Sequence, residues 1–273
     1  MSQLQVCSLN SGSNGNSYYI GSEEVGILID LGISARMTTQ RLAEIGKTPE
    51  HIAAIIVSHE HGDHIRGIKT FQKKYYTKVI TSQKTHSKFR HPILNLAFFD
   101  EQPFEVGPFS IQAFKKHHDG IDPYSFIVSY QDYHIGVMTD IGKICDNATE
   151  AVSKCNVLFL ESNYDSEMLE NGPYPYHLKN RITGGLGHLS NDEAKHLINY
   201  HRSEALEKVF LSHLSNENNT TEICLNTFLD LGLKDINFEV APRTGISSVW
   251  KKPLDEIPTL DNPSTDIRQA SLF

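Results

Sequence analysis

His59-Glu60-His61-Gly62-Asp63-His64 directs the reading of this 273-residue chain. It follows the apolar, β-branched run Ala53-Ala54-Ile55-Ile56-Val57, which predicts a buried strand. Behind it Ile65, Ile68 and Phe71 recur at helical spacing, so the motif sits where a strand gives way to a helix. Three imidazoles and two carboxylates in so short a span are costly to crowd together unless a cation holds them. On extended backbone the side chains of His59, His61 and Asp63 share one side, and His64 turns away as the helix starts. That arrangement suits two metal ions, with His59 and His61 on one and Asp63 and His64 on the other. Glu60 points away from the row and reads as a supporting or surface residue rather than a ligand.

Composition sets the frame around this motif. The length allows one large domain or two modest ones. The four cysteines, Cys7, Cys145, Cys155 and Cys224, are widely spaced with no Cys-x-x-Cys pair, as expected for reduced, mostly buried thiols. No run approaches membrane-spanning length, and the N-terminus lacks the basic and apolar stretches of a signal peptide, so a cytoplasmic protein is expected. A net charge of −8 argues at first against a nucleic-acid partner. Its distribution argues the other way. From Ile65 to Phe99 there is no acidic residue, while Arg66, Lys69, Lys73, Lys74, Lys78, Lys84, Lys88 and Arg90 fall there. Arg66, Lys69 and Lys73 are spaced to share one helix face, which would give a local positive field beside the motif or an ordinary solvated face.

Along the chain, short strands are expected over 4–9 and 17–21, on either side of Ser11-Gly12-Ser13-Asn14-Gly15-Asn16. Such small, turn-forming residues bring backbone N–H groups toward a phosphate, and a tight hairpin needs the same residues. Further strands are expected over 25–30, 78–81, 109–114, 124–130, 133–138, 156–160, 208–211, 236–240 and 246–250, with helices over 36–45, 83–90, 191–200 and 220–231. From Lys251 the chain becomes Pro-rich and polar, giving a domain over 1–250 and a tail over 251–273. One pattern recurs: His59, His118, Asp140, Glu161 and His213 each stand just past the end of a buried strand, where packed sheets assemble sites.

His59-x-His61-x-Asp63-His64 followed by His, Asp and His at later strand ends resembles the metallo-β-lactamase superfamily. The resemblance implies an α+β fold, an αββα sandwich of two mixed β-sheets flanked by helices. More narrowly, several segments resemble the YycJ (VicX/WalJ) group of bacterial metallo-hydrolases, with deeper similarity to the RNase Z and RNase J nucleases. They are Ser11 to Asn16, His118-Asp119 followed by Asp122-Pro123, Thr139 to Gly142, Glu161 to Asn163, Gly187 to Asn191 and His213-Leu214-Ser215. The likeness implies that His59, His61 and His118 hold one ion, that Asp63, His64 and His213 hold the other, and that Asp140 bridges them. His117 competes with His118 for the third place, and the Asp following His118 favours the latter. A water shared by the two ions would be the nucleophile, and Asp63 counts among the catalytic residues. His188, oriented by Glu161, would serve the leaving group. The Ser11–Asn16 loop (Ser11, Ser13, Asn14, Asn16) and Asn163 would meet substrate, as would Lys69 and Lys73.

The function expected on these grounds is a two-metal phosphodiesterase with Zn²⁺ or Mn²⁺ as cofactor, acting on nucleic acid, DNA before RNA, as an exonuclease linked to DNA repair. The alternative on the same fold is a small-molecule hydrolase: a thioesterase, lactonase or cyclic phosphodiesterase. At the C-terminus, Gln269-Ala270-Ser271-Leu272-Phe273 resembles the peptide by which bacterial repair proteins dock on the sliding clamp, with Gln269, Leu272 and Phe273 as its anchors and Ala270 departing from the usual Leu.

Overall fold

A computed structural model describes residues 3–253. The chain lays down a first set of strands, β1 (Gln3–Asn10), β2 (Ser17–Gly21), β3 (Gly26–Ile29), β4 (Ile52–Ile56), β5 (Lys78–Thr81) and β6 (Leu96–Phe98). Helix α1 (Ala35–Glu44) crosses from β3 to β4, and α2 (Gly62–Ile65), α3 (Ile68–Tyr75) and α4 (Gln83–His86) follow. The second set is β7 (Phe104–Val106), β8 (Phe109–Lys115), β9 (Tyr124–Tyr130), β10 (Tyr133–Met138), β11 (Val157–Glu161), β12 (Lys208–Ser212) and β13 (Asn237–Val240). Among these lie α5 (Asp146–Val152), α6 (Ser166–Asn171), α7 (Tyr176–Thr183), α8 (Asn191–His201) and α9 (Thr221–Leu229), and β14 (Trp250–Pro253) comes last. Two seven-stranded sheets result, in the orders β14-β1-β2-β3-β4-β5-β6 and β13-β12-β11-β10-β9-β8-β7. Both are mixed, with β3 to β6 parallel in one and β10 to β13 parallel in the other.

Alternation of side chains along each strand explains the four layers. Ile27, Ile29, Ala54 and Ile56 of the first sheet meet Ile135, Val137, Phe159 and Phe210 of the second in one sealed core. Their neighbours Leu28, Ile55 and Val57 turn the other way, onto Leu42 of α1 and Ile68 and Phe71 of α3. On the opposite face Leu158, Leu160, Val209 and Leu211 pack against α5, α8 and α9 through Val152, Leu197 and Phe228. Strands buried on both faces read in sequence as unbroken apolar runs, and those runs were the basis for expecting them. Tyr18 ties the sheets together, its ring 4.8 Å from Phe159, which in turn stacks on Phe210 at 4.8 Å.

The last strand differs from expectation. Ser247 is occupied by β1, donating from its backbone to Ser8 O and accepting from Ser8 N through its hydroxyl, while Ile246 and Val249 pack into the core under α1 and α3. Pairing with β1 begins only at Trp250 and runs to Pro253, so residues 251–253 belong to the sheet and not to the tail. Helix α4 is also shorter than the expected 83–90, ending at His86. The clamp-like peptide with Gln269, Leu272 and Phe273 lies outside the described residues.

All four cysteines are free, and burial pushes the thiols of Cys7, Cys155 and Cys224 up to about 12. Only thiolates react readily. A disulfide reagent at neutral pH is therefore expected to label Cys145, the one half-buried thiol, in the folded protein, and to reach the other three only on unfolding in denaturant. Rapid labelling of more than one thiol under native conditions would contradict the packing described.

Candidate metal centre

The ends of β3, β4, β10, β11 and β12 converge at one edge of the sandwich and supply Asp30, Ser58 with His59, Asp140, Glu161 and His213 in turn. His61, Asp63 and His64 come from the turn into α2, and His118 from the loop after β8. Hydrogen bonds settle which ring nitrogen each imidazole presents. Ser58 Oγ donates its single proton to Asp30 Oδ2 (2.7 Å) and so accepts from His59 Nδ1 (2.8 Å). His64 Nδ1 donates to Asp30 Oδ2 (2.7 Å), His118 Nδ1 to Gly187 O (3.1 Å) and His213 Nδ1 to Glu161 Oε1 (2.9 Å). Nε2 of all four rings is thereby left for another partner, in the manner of metal-ligating histidines with a carboxylate or carbonyl behind them.

Two groups of nitrogens and oxygens meet there. His61 Nδ1 lies 3.2 Å from His59 Nε2 and 3.3 Å from His118 Nε2. Lone pairs so placed repel, unless a cation sits among them. Ligands about 2.0–2.1 Å from a tetrahedral ion are themselves about 3.3 Å apart, and the observed spacing fits that. In the second group, Asp63 Oδ2 is 3.6 Å from both His64 Nε2 and His213 Nε2. Asp140 stands between the groups, Oδ2 3.1 Å from His64 Nε2 and Oδ1 3.9 Å from His118 Nε2. Asp140 Oδ2 and His213 Nε2 are buried without a hydrogen-bond partner among the described residues. Orphaned polar atoms of this kind are rare and costly, and a divalent cation would satisfy both. A further cluster, Asp140, Glu161, His188 and His213, has a plainer explanation. His188 Nδ1 and His213 Nδ1 both donate to Glu161 Oε1, each over 2.9 Å, leaving no lone pair there for a cation.

The charges balance internally. Burial would lift the acids, but facing imidazoles outweigh it and hold Asp63 and Glu161 at about 2 and Asp140 well below the usual carboxylate range. Burial would likewise depress His64, but Asp140, Asp30 and Asp63 push it up to about 10. His213 is raised in the same way by Asp140, Asp63 and Glu161. In His59 and His118 burial prevails, bringing His118 down to about 4 and His59 well below its ordinary value.

Most of the expected ligand positions come together, and His118 rather than His117 joins His59 and His61. The expected substrate residues divide. Ser11 is buried, its Oγ accepting from His213 N (2.7 Å) and bonded to Tyr18 OH (2.9 Å). Asn16 donates to Asp63 Oδ2 (3.3 Å), Asn14 to Arg243 O (2.9 Å), and Asn163 to His213 O (2.6 Å). These residues hold the turns that carry the candidate ligands, their polar groups being already engaged with backbone or with Asp63 and Tyr18. Ser13 and Asn163 line the cavity, whereas Lys69 and Lys73 are exposed on α3 and lie outside its lining. Glu60 accepts from Ile121 N (2.8 Å) and clamps the loop after His118.

Other residues went unnoticed in sequence. Asp30 and Ser58 anchor His59 and His64, and the apolar run 25–29 ending in an acid carried the same strand-end signal as Asp140. Lys116 is buried and donates to Thr139 O (2.6 Å), fixing the turn that carries Asp140. Arg181 of α7 donates from Nε to Asp119 Oδ2 (2.7 Å) at the cavity mouth.

Comparison with known proteins places this geometry. Residues 26–213 match the Beta-lactamase superfamily domain. The exodeoxyribonuclease WalJ of Streptococcus pneumoniae is 32% identical over 246 residues, covering 85% of this chain and 91% of that one. The exodeoxyribonuclease YycJ of Bacillus anthracis is 30% identical over 226 residues, covering 81% and 86%. Among solved structures, the metallo-beta-lactamase fold protein YhfI of Bacillus subtilis superposes with a TM-score of 0.72 at 17% identity, over 92% of this chain and 100% of that one, a likeness of fold. With most of its length matched by that domain and by relatives at 30% identity or more, the chain belongs to the beta-lactamase superfamily and is a metal-dependent hydrolase within it.

Proposed function

We propose that this chain is a two-metal phosphodiesterase that degrades DNA from an end, in the service of repair. The observation that carries the reading is the pairing of two ligand groups across Asp140 with a separate, carboxylate-held imidazole, His188, facing the same cavity. The names of the relatives, exodeoxyribonucleases in Streptococcus pneumoniae and Bacillus anthracis, support the substrate class. His59, His61 and His118 would hold one ion, Asp63, His64 and His213 the other, and Asp140 would serve both. The imidazole-rich set favours Zn²⁺ and the carboxylates with a phosphodiester task also suit Mn²⁺. When bound, the ions supply charge to the phosphate and lower the pKa of a coordinated water.

The protein's own part is positioning and proton transfer. Glu161 Oε1 receives His188 Nδ1–H, which leaves Nε2 as the atom that can carry a proton toward a departing alkoxide. Glu161 Oε2 accepts from Ile141 N (2.6 Å) and Leu189 N (3.3 Å), so the carboxylate cannot swing away from that task. Incubating the protein, with Zn²⁺ or Mn²⁺, with 5′- and 3′-labelled DNA and RNA tests the reading directly, and failure to shorten any strand would end it.

Asp140→Ala is expected to abolish turnover on every substrate and to drop bound metal well below two ions per chain, measured by mass spectrometry of the metals. Retention of both ions and activity would remove Asp140 from its bridging role.

His188→Ala is expected to keep its metal but to lose about 10²–10⁴-fold in turnover, the scale of a positioned acid. On bis-p-nitrophenyl phosphate, whose leaving group needs no proton, the loss should be much smaller. Equal losses on both substrates would reassign His188 to a structural role.

Because His64 and His213 hold protons in the metal-free site at neutral pH, ions must displace them. Their raised pKa values set the sign: affinity should climb as pH rises from about 6 toward 9, with about two protons released on full loading. Calorimetric titration in buffers of different ionisation enthalpy counts those protons, and a count of zero would show that both imidazoles are neutral before the ions bind.

A further inference from the structure

Helix α7 contributes a wall to the cavity that the metal groups do not explain. Leu178, Arg181 and Ile182 recur at helical spacing on one face, and Tyr174 lies just before the helix. All four line the cavity beside His61, His118 and His188. Tyr174 and Leu178 rest on the small cluster of Tyr164, Leu169 and Ile182, which fixes their position. Arg181 is held over the mouth by Asp119, through Nε at 2.7 Å and Nη2 at 2.5 Å on one carboxylate oxygen. The arginine side chain is 57% exposed, and ion pairs that open to solvent contribute little to stability. What the pair does is orientation. Asp119 Oδ1 lies 3.6 Å from His61 Nε2 and 3.4 Å from His118 Nε2, so the guanidinium is carried next to the first ligand group. Nη1 has no hydrogen-bond partner among the described residues, and Arg181 lines the cavity.

Arg181 is the one basic Lys or Arg side chain in the lining, and Tyr174, Leu178 and Ile182 form its apolar part. A guanidinium and an aromatic ring lining one cavity, beside the proposed phosphodiester-cleaving centre, match a phosphate joined to a base. The cavity holds about 250 Å³, below the roughly 300–1,000 Å³ of common ligand pockets, which suits one nucleotide. Resting on the nuclease reading above, we infer that α7 builds a subsite for a single terminal nucleotide, with Arg181 taking a phosphate oxygen and Tyr174 stacking on the base. The enzyme would then release mononucleotides.

The test is calorimetric binding of thymidine 5′-monophosphate and of inorganic phosphate to the metal-loaded full chain. The wild type is expected to bind the nucleotide at least about tenfold more tightly than phosphate, the scale of one base–aromatic stack. Arg181→Ala should weaken nucleotide binding by about 10–100-fold, the usual loss for a hydrogen bond to a charged group. Arg181→Lys, which keeps charge but not the fork, should fall between. Tyr174→Ala should bring the nucleotide down to the affinity of phosphate. Metal content and unfolding midpoint equal to wild type certify each variant. Equal affinity for nucleotide and phosphate in the wild type, or an unchanged Arg181→Ala, overturns the subsite. If labelled strands are shortened yet the nucleotide shows no advantage, the subsite falls alone. If no strand is shortened while the nucleotide advantage and its dependence on Arg181 hold, the subsite stands and the nuclease reading falls.

Discussion

The rest of the structure depends on the burial of like charges at the edge where two sheets meet. Asp30, Asp140 and Glu161 are each no more than 2% exposed, and Asp63 stands beside them. Burying a carboxylate without compensation costs several kcal/mol per ion, far more than any single contact returns. Compensation therefore has to be dense and local. It comes from His64, His213 and Lys116, and from backbone N–H groups at Ser58, Ile141 and Leu189. Neither sheet carries enough donors alone. Asp30 serves residues of its own sheet, while Asp140 needs His64 from the first sheet and His213 from the second. The apolar core between the sheets supplies the stability, and the polar edge fixes their mutual placement.

That placement is achieved with unfavourable backbone. Asp30, Asp140 and His213 all adopt left-handed conformations, with φ of 61°, 55° and 58°. Such conformations cost an L-residue roughly 1–2 kcal/mol each, and they persist where surrounding bonds determine them. Here the turn is what lets a strand-end side chain fold back over the sheet edge. Gly32 shows the same pressure from another side. A Cβ there would lie 1.6 Å from Asp63 O, so only glycine lets β3's exit pass beneath the motif and hold it through Asn16 N and Leu31 N.

What could be read from sequence follows from how local the signal is. Strands buried on both faces announce themselves as apolar runs, and a cluster of imidazoles directly after one has few uses other than a cation. The side chains that gather after β4, β10 and β12 were legible for that reason. His118 was less so, since two adjacent histidines competed and only the Asp that follows His118 favoured it over His117, before the structure brought it to His59 and His61. Asp30 carried the same strand-end pattern but stood alone, without a dense motif around it. The three-residue strands β6 and β7 were invisible, because pairing with β5 and β8 defines them rather than any pattern of their own. Helices α6 and α7 were missed too. They are short, capped locally by Asp165 and Pro175, and bury little beyond Leu169 and Ile182. Gly187, just before His188, serves packing, since a Cβ there would lie 2.2 Å from Ile182 O and 2.4 Å from Arg181 O.

Glu161 shows why the centre divides its labour as it does. Its two oxygens receive four donors: the imidazoles of His188 and His213 on one, and the backbone of Ile141 and Leu189 on the other. A carboxylate engaged this fully has no lone pair of good geometry left for a cation, so burial in the midst of ligands does not make it one. Instead it links three functions by geometry. Through Ile141 it fixes the turn that presents Asp140, through His213 it orients a candidate ligand, and through His188 it aims a second imidazole into the cavity. Residues bound into one unit in this way do not contribute additively, since loosening any donor shifts the carboxylate for the others. The placement of His213 and of His188 is therefore set by one buried side chain at the end of β11, and the strand that holds it is sealed on both faces by apolar core.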